Sequence, residues 1–176
     1  TSSVSAFLLN RSSDLTLCTW QKLSTTPAHR AWAGFTFETI CMKHVDAIKE
    51  ALGISGVRSV EGSWVGKGDE SGAQVDLLID RDDNVINLCE MKFSNAPFRI
   101  DRGYAAELAA KIAAFTSATR TRKSVFITFI TTYGIEPNAY RQQLVESEVL
   151  ADPLFTLTNK WPIEPLHNNN WPLIWQ

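Results

Sequence analysis

A chain of 176 residues that is 44% hydrophobic and 20% charged can bury a real core, which excludes wholesale disorder. Its length suits one domain, or two only if both are small. With 17 basic and 19 acidic residues the net charge is -2, which gives no sign of a strongly basic nucleic-acid binder but leaves room for a basic stripe beside an acidic site.

No apolar run approaches the roughly 18 residues of a membrane span. The longest, Ser124 to Tyr133, is strand-sized and threonine-rich. Cys18, Cys41 and Cys89 are odd in number and widely spaced, with neither zinc spacing nor a disulfide framework, which suits a reducing cytoplasm. The chain starts at Thr1 and shows no signal-peptide pattern, so the expectation is a piece of a longer cytoplasmic protein.

In chain order, residues 1–30 form a polar leading segment and linker that packs on the domain. Gly34 to Leu52 reads as one helix, because Phe37, Cys41, Val45, Ile48 and Leu52 recur at steps of three and four. Gly53 suits its left-handed C-terminal cap. Val57 to Val65 reads as a strand, followed by a charged turn with Gly66, Gly68 and Gly72. Gln74 to Asp80 and Asn84 to Phe93 are strand-like runs joined by Arg81, Asp82 and Asp83, which predicts a hairpin.

Asp101 predicts the N-cap of a second helix to about Ser117, with Tyr104, Leu108, Ile112 and Phe115 as its buried stripe. Glu107 and Lys111 are expected to pair on its wet face. Ser124 to Thr132 is apolar on both faces and predicts a central strand. A third helix is expected from Pro137, carrying Tyr140, Leu144, Val145 and Val149. The predicted order is helix, three strands, helix, strand, helix. The domain spans residues 31–158 and a Trp/Pro-rich tail spans 159–176.

Strand parity puts Ile86, Leu88, Glu90 and Lys92 on one face of the second hairpin strand. It puts Val75, Leu77 and Ile79 on one face of the first, with Gln74 and Asp76 on the other. If the two strands pair, Asp76 and Glu90 come close. Two near carboxylates repel, and desolvating either without a partner costs several kcal/mol. Lys92 offsets part of this, and an oxygen-seeking divalent ion offsets more. The plainer alternative is a Glu90–Lys92 surface ion pair beside an ordinary exposed Asp76. Glu38, at the flank of the first helix's apolar stripe, adds a third carboxylate.

Glu38, Asp76 and Glu90-Met91-Lys92 together resemble the PD-(D/E)XK, or restriction-endonuclease-like, superfamily. More narrowly, Trp32 to Gly134 looks like the nuclease-like C-terminal domain behind the ATPase module of some prokaryotic AAA-type ATPases. The segments that carry this are Trp32 to Glu38, Cys89 to Ser94, Ile100 to Tyr104 and Phe126 to Thr128.

The resemblance implies an α/β fold, with a mixed central sheet flanked by helices in the order αβββαβ. It implies Mg²⁺- or Mn²⁺-dependent hydrolysis of DNA phosphodiesters. Asp76, Glu90 and the Met91 carbonyl would hold the ion, and Glu38 would act through water or a second ion. Lys92 would orient the attacking water. Val75 stands where the motif's name has proline. The rival reading is a non-catalytic DNA- or partner-binding regulatory domain serving an upstream ATPase.

Gln74 and Ser94 are candidate substrate contacts, although Gln74 reads first as a strand amide with backbone partners. Tyr104 reads as core. Lys111, Arg120 and Arg122, with Arg99, Arg102 and Lys123, give the second helix and its exit a basic bias that could meet DNA phosphates. Gly62 to Gly68 lacks phosphate-loop spacing and reads as a turn, so this chain is not expected to hydrolyse ATP. His44 reads as a core histidine.

Overall fold

The computed structural model describes residues 26–66 and 73–156. In chain order the elements are α1 (Pro27–Lys43), α2 (Val45–Ala51), β1 (Ser59–Val65), β2 (Gln74–Arg81), β3 (Val85–Lys92), α3 (Arg102–Thr119), β4 (Ser124–Thr131), α4 (Ala139–Leu144), β5 (Val145–Leu150) and α5 (Asp152–Phe155). The strands form one mixed sheet in the order β1-β2-β3-β4-β5. β1, β2 and β3 are antiparallel neighbours, and β3, β4 and β5 are parallel ones. Parallel neighbours need a crossover, and α3 and α4 lie in the two crossover connections.

Two cores sandwich the sheet. On one face Phe37, Cys41 and Ile48 from α1 and α2, with Leu154 from α5, pack against Leu77, Ile79, Cys89, Met91 and Ile130. On the other, Ala105, Leu108 and Phe115 from α3 pack against Ile86, Leu88, Ile127 and Phe129. β4 is apolar on both faces because helices cover both, as its sequence predicts.

Three predicted elements differ. The first helix starts at Pro27, where Thr26 caps it by accepting from the His29 backbone N–H at 3.2 Å. Residues 27–30 therefore belong to the folded unit rather than to a leading segment. That helix also breaks at His44, whose backbone (φ -117°, ψ 32°) is not helical. Its apolar stripe continues across the break, with Phe37, Cys41 and Ile48 buried, while His44 is exposed rather than in the core. Gly53 takes the expected left-handed conformation at φ 70°.

The third helix is the larger correction. Pro137 precedes the cap rather than opening the helix, and the Asn138 side chain accepts from the Arg141 N–H at 2.8 Å. α4 ends at Leu144, and Val145 to Leu150 forms β5. Val145 and Val149 are β-branched, and β4 offers an open edge to pair with. The strand expected over Val57 to Val65 is β1, so Gly62 to Val65, where the strand and turn readings overlap, belong to the strand. The rest of the charged turn (67–72) and the Trp/Pro-rich tail lie outside the described residues.

A buried polar strip crosses four strands. Arg81 donates to Asn87 at 3.3 Å, Asn87 donates to Thr128 at 2.9 Å, and the Thr128 and Ser147 hydroxyls share a hydrogen bond at 2.8 Å. Because Asn87 is 2% exposed and Thr128 fully buried, their polar groups need these partners. The strip ties β2 through β5 together in one register.

Candidate functional site

β2 and β3 pair from Asp80↔Ile86 to Leu77↔Cys89, and the ladder stops there. The next residues along are Asp76 on β2 and Glu90 on β3. The strands therefore part where the two acidic residues lie. Parity also slips at this point. Val75 joins the α3-side core, whereas Leu77 and Ile79 join the α1-side core, so the three do not share one face as expected. The adjoining β1–β2 ladder is irregular between Gly62 and Trp64, opposite the same stretch.

α1 brings the third carboxylate. Buried Phe37 anchors it, with its ring 6.2 Å from that of Phe93 just beyond β3. Glu38 follows, half-buried. Its carboxyl is raised above the usual range, first by burial and then by the Asp76 charge. Lys92 pulls it down and Glu90 pushes it up. The charges of Asp76, Lys92 and Glu90 thus all reach Glu38 through space.

Glu90 is only 6% exposed, and both its oxygens are engaged. Oε2 accepts from the Tyr104 hydroxyl at 3.0 Å and lies 3.6 Å from the Lys92 ammonium. Oε1 is held by the Lys111 ammonium. Lys92 also lies 5.2 Å from the centre of the Tyr104 ring, within cation–π range. Burial, then the Glu90 charge, pushes the Tyr104 phenol well above its ordinary range, so it stays a donor.

Sequence reasoning puts Lys111 on the wet face and finds only the core half of Tyr104. Tyr104 is partly core, with its ring edge-on to Phe98 at 5.2 Å, but its hydroxyl belongs to the site. Lys111 turns inward, and among the described residues no ion pair joins it to Glu107. The signal was present. Positions 104, 108, 111 and 115 follow the four-three-four step of one helix face, so Lys111 lies on the buried stripe.

Several contacts set the pose of α3. The Asp101 side chain caps it by accepting from the Tyr104 N–H at 2.8 Å. Asn138 donates to the Ile100 carbonyl at 2.8 Å, and Phe98 bridges to Ile135.

The remaining candidates divide. Gln74 donates to Asp76 and orients it, a third use beyond backbone pairing or substrate contact. Ser94 is tied to Thr132, whose Oγ1 accepts from the Ser94 N–H at 3.0 Å and donates to its carbonyl at 2.6 Å; the Ser94 hydroxyl donates to Ala96. Ser94 therefore closes the strand ends beside the site. The Met91 side chain packs in the α1-side core, which leaves only its backbone for the site.

Arg120 and Arg122 are not brought to the carboxylates. They precede Ser124, which pairs with Val85 at the opposite end of β3. That is five residues from Glu90, about 17 Å along the strand. The expected basic stripe is further reduced because Lys123 pairs with Asp80 at 2.5 Å and Arg99 lies 3.9 Å from Glu136.

The donor chemistry suits a hard divalent ion, since Glu38, Asp76, Glu90 and a backbone carbonyl all offer oxygen. The raised proton affinity of Glu38 reports burial first and then the Asp76 charge, which Lys92 opposes. Among the described residues, however, no three His, Cys, Asp or Glu side chains are gathered as a ready metal cage. Glu90 would have to exchange a lysine for the ion.

No protein-family profile matches the chain, and no curated protein matches it. A solved structure, that of a protein of unknown function called AF1548, is similar at 17% identity and a TM-score of 0.42. The likeness covers 62% of this chain and 56% of that one, so the chain spans just over half of that protein's length. A likeness at this level assigns no activity. No described helix is long and apolar enough to cross a membrane.

Proposed function

We propose that this domain is a metal-dependent nuclease of the restriction-endonuclease-like type that hydrolyses DNA phosphodiesters. The observation that carries the reading is the Glu90–Lys92 pair at 3.6 Å where β2 and β3 part, with Glu38 and Asp76 within electrostatic reach of each other beside it. The element order helix, three strands, helix, strand supports it. DNA as substrate and an ATPase partner come from the resemblance of the quoted segments, and a cytoplasmic setting from the cysteine pattern.

Asp76, Glu90 and the Met91 carbonyl would hold Mg²⁺ or Mn²⁺, with Glu38 reaching it through water. Such an ion, when bound, makes water more acidic and offsets charge on the phosphate. Lys92, fixed between the Glu90 carboxylate and the Tyr104 ring, is placed to orient the attacking water and to donate to a phosphate oxygen. Glu38, with its raised affinity for protons, can take one from that water. Gln74 holds the Asp76 carboxylate by a hydrogen bond.

A second reading has its own observation. Glu90 is fully engaged by Lys111, Tyr104 and Lys92, as a purely structural buried carboxylate would be. A non-catalytic domain that binds DNA or an ATPase fits this arrangement. The test is plasmid nicking and cleavage with Mg²⁺ or Mn²⁺, using wild type, Asp76→Ala and Lys92→Ala. Cleavage that needs the ion and is lost in both variants supports the nuclease. Cation-independent DNA binding without cleavage, unchanged in both variants, supports the second reading.

A further inference from the structure

The α3 side of Glu90 holds one fixed partner and one movable partner. Tyr104 is fixed, because its ring lies against Phe98 and Phe129. Lys111 follows it by seven residues, about 10.5 Å along the same helix face. It reaches Glu90 on a flexible four-carbon stem whose side chain is 21% exposed. The two act on different oxygens. Tyr104 and Lys92 share Oε2, and Lys111 holds Oε1.

Counting charge identifies the partner that can leave. Glu38, Asp76 and Glu90 bring three negative charges, and Lys92 and Lys111 bring two positive ones. A divalent cation added to this set turns a deficit of one positive charge into an excess of one. One lysine is then surplus. Lys92 keeps a second attraction in the Tyr104 ring, whereas Glu90 is the one ion-pair partner of Lys111 among the described residues.

We infer that Lys111 is an exchangeable counter-ion for Glu90. It neutralises the carboxylate while the domain is metal-free, and it gives up Oε1 when a divalent cation takes that oxygen. The released ammonium is then a free positive charge beside the site, suited to a phosphodiester oxygen. This accounts for a lysine on the buried stripe of α3 and for a Glu90 that is paired within a site not caged for metal. The inference rests on the nuclease reading.

The experiment is Mn²⁺ titration by calorimetry of wild type, Lys111→Gln and Asp76→Ala. It is paired with mass-spectrometric mapping of lysine acylation in wild type with and without Mn²⁺. Removing the competitor should tighten Mn²⁺ binding about tenfold in Lys111→Gln, the scale of one hydrogen bond to a charged group. Acylation of Lys111 in wild type should rise severalfold when Mn²⁺ is added, a measurement that decides the matter even if the variant does not fold. If Mn²⁺ binds in an Asp76-dependent way but Lys111→Gln binds it no tighter, or Lys111 stays equally protected, the counter-ion role is overturned and the nuclease reading stands. If wild type shows no Asp76-dependent Mn²⁺ binding, both are overturned.

Discussion

The Tyr104 hydroxyl donates to Glu90 Oε2 at 3.0 Å, from a ring held by Phe98 and Phe129. One aromatic side chain thus serves the α3-side core with its ring and the acidic site with its oxygen. Tyr104→Phe should keep the packing and remove only the donor. The expected loss is about 1 to 2 kcal/mol, the lower part of the range for bonds to charged groups, because Lys92 and Lys111 remain on Glu90. Urea denaturation of both proteins measures it. A variant as stable as wild type would mean that the hydroxyl does not support Glu90.

Much of this arrangement could be read before folding, and the failures have particular causes. Asp101 as a cap, Gly53 as a terminator and the two-faced apolar run of β4 are local signals, and each appears as expected. Val145 to Leu150 reads as helix because Leu144, Val145 and Val149 fit a helical step as well as a strand. The open edge of β4, which decides between them, is a tertiary fact. In the site, parity found that Glu90 and Lys92 share a face. It could not find the slip at Asp76, which depends on β2 leaving β3 and on an irregular β1. Lys111 reads as solvent-facing because a glutamate one turn earlier offers a simpler partner. A buried carboxylate across the interface outcompeted it.

The polar strip through the sheet gives a second prediction. Thr128→Val keeps the shape of a fully buried side chain but deprives the Asn87 amide of its acceptor. An unmet buried donor costs about 1 to 3 kcal/mol, so Thr128→Val should be destabilised by that amount. Ser147→Ala should cost less, because Ser147 is only partly buried and Thr128 keeps its bond with Asn87. Thermal melts of the two variants should rank them in that order. The reverse ranking would show that the strip is held from the β5 side.

The cysteines give a third. Cys41 and Cys89 are free and buried on the α1-side core. Burial pushes the Cys41 thiol up to about 12, with Glu38 adding to it. Burial, then the Glu90 charge, pushes the Cys89 thiol further above its usual range. The thiolate is the reactive form, so neither should react with iodoacetamide at pH 8 while the domain is folded. Peptide mapping should find both labelled only in denaturant, at a rate that follows unfolding. Fast labelling of Cys41 in the native protein would mean that α1 opens locally.

Glu38 ties stability to pH, and the sign follows from its environment. Burial and the Asp76 charge raise its folded value above the ordinary 4.5, so the fold favours the uncharged acid. Its contribution to stability is therefore complete below the unfolded value and is lost as pH rises through the raised folded value. Glu38→Gln is uncharged throughout. In metal-free protein it should match wild type near pH 4 and become the more stable of the two as pH rises toward neutrality. Melting temperatures in EDTA across pH 4 to 8 test this, and a gap that is constant with pH would rule out the electrostatic cause. Under the nuclease reading, millimolar Mg²⁺ should raise wild type toward the variant at neutral pH, because the ion supplies the positive charge that the three carboxylates lack. A gap unaffected by Mg²⁺, but present in EDTA, would leave the buried charge real and remove the ion from its explanation.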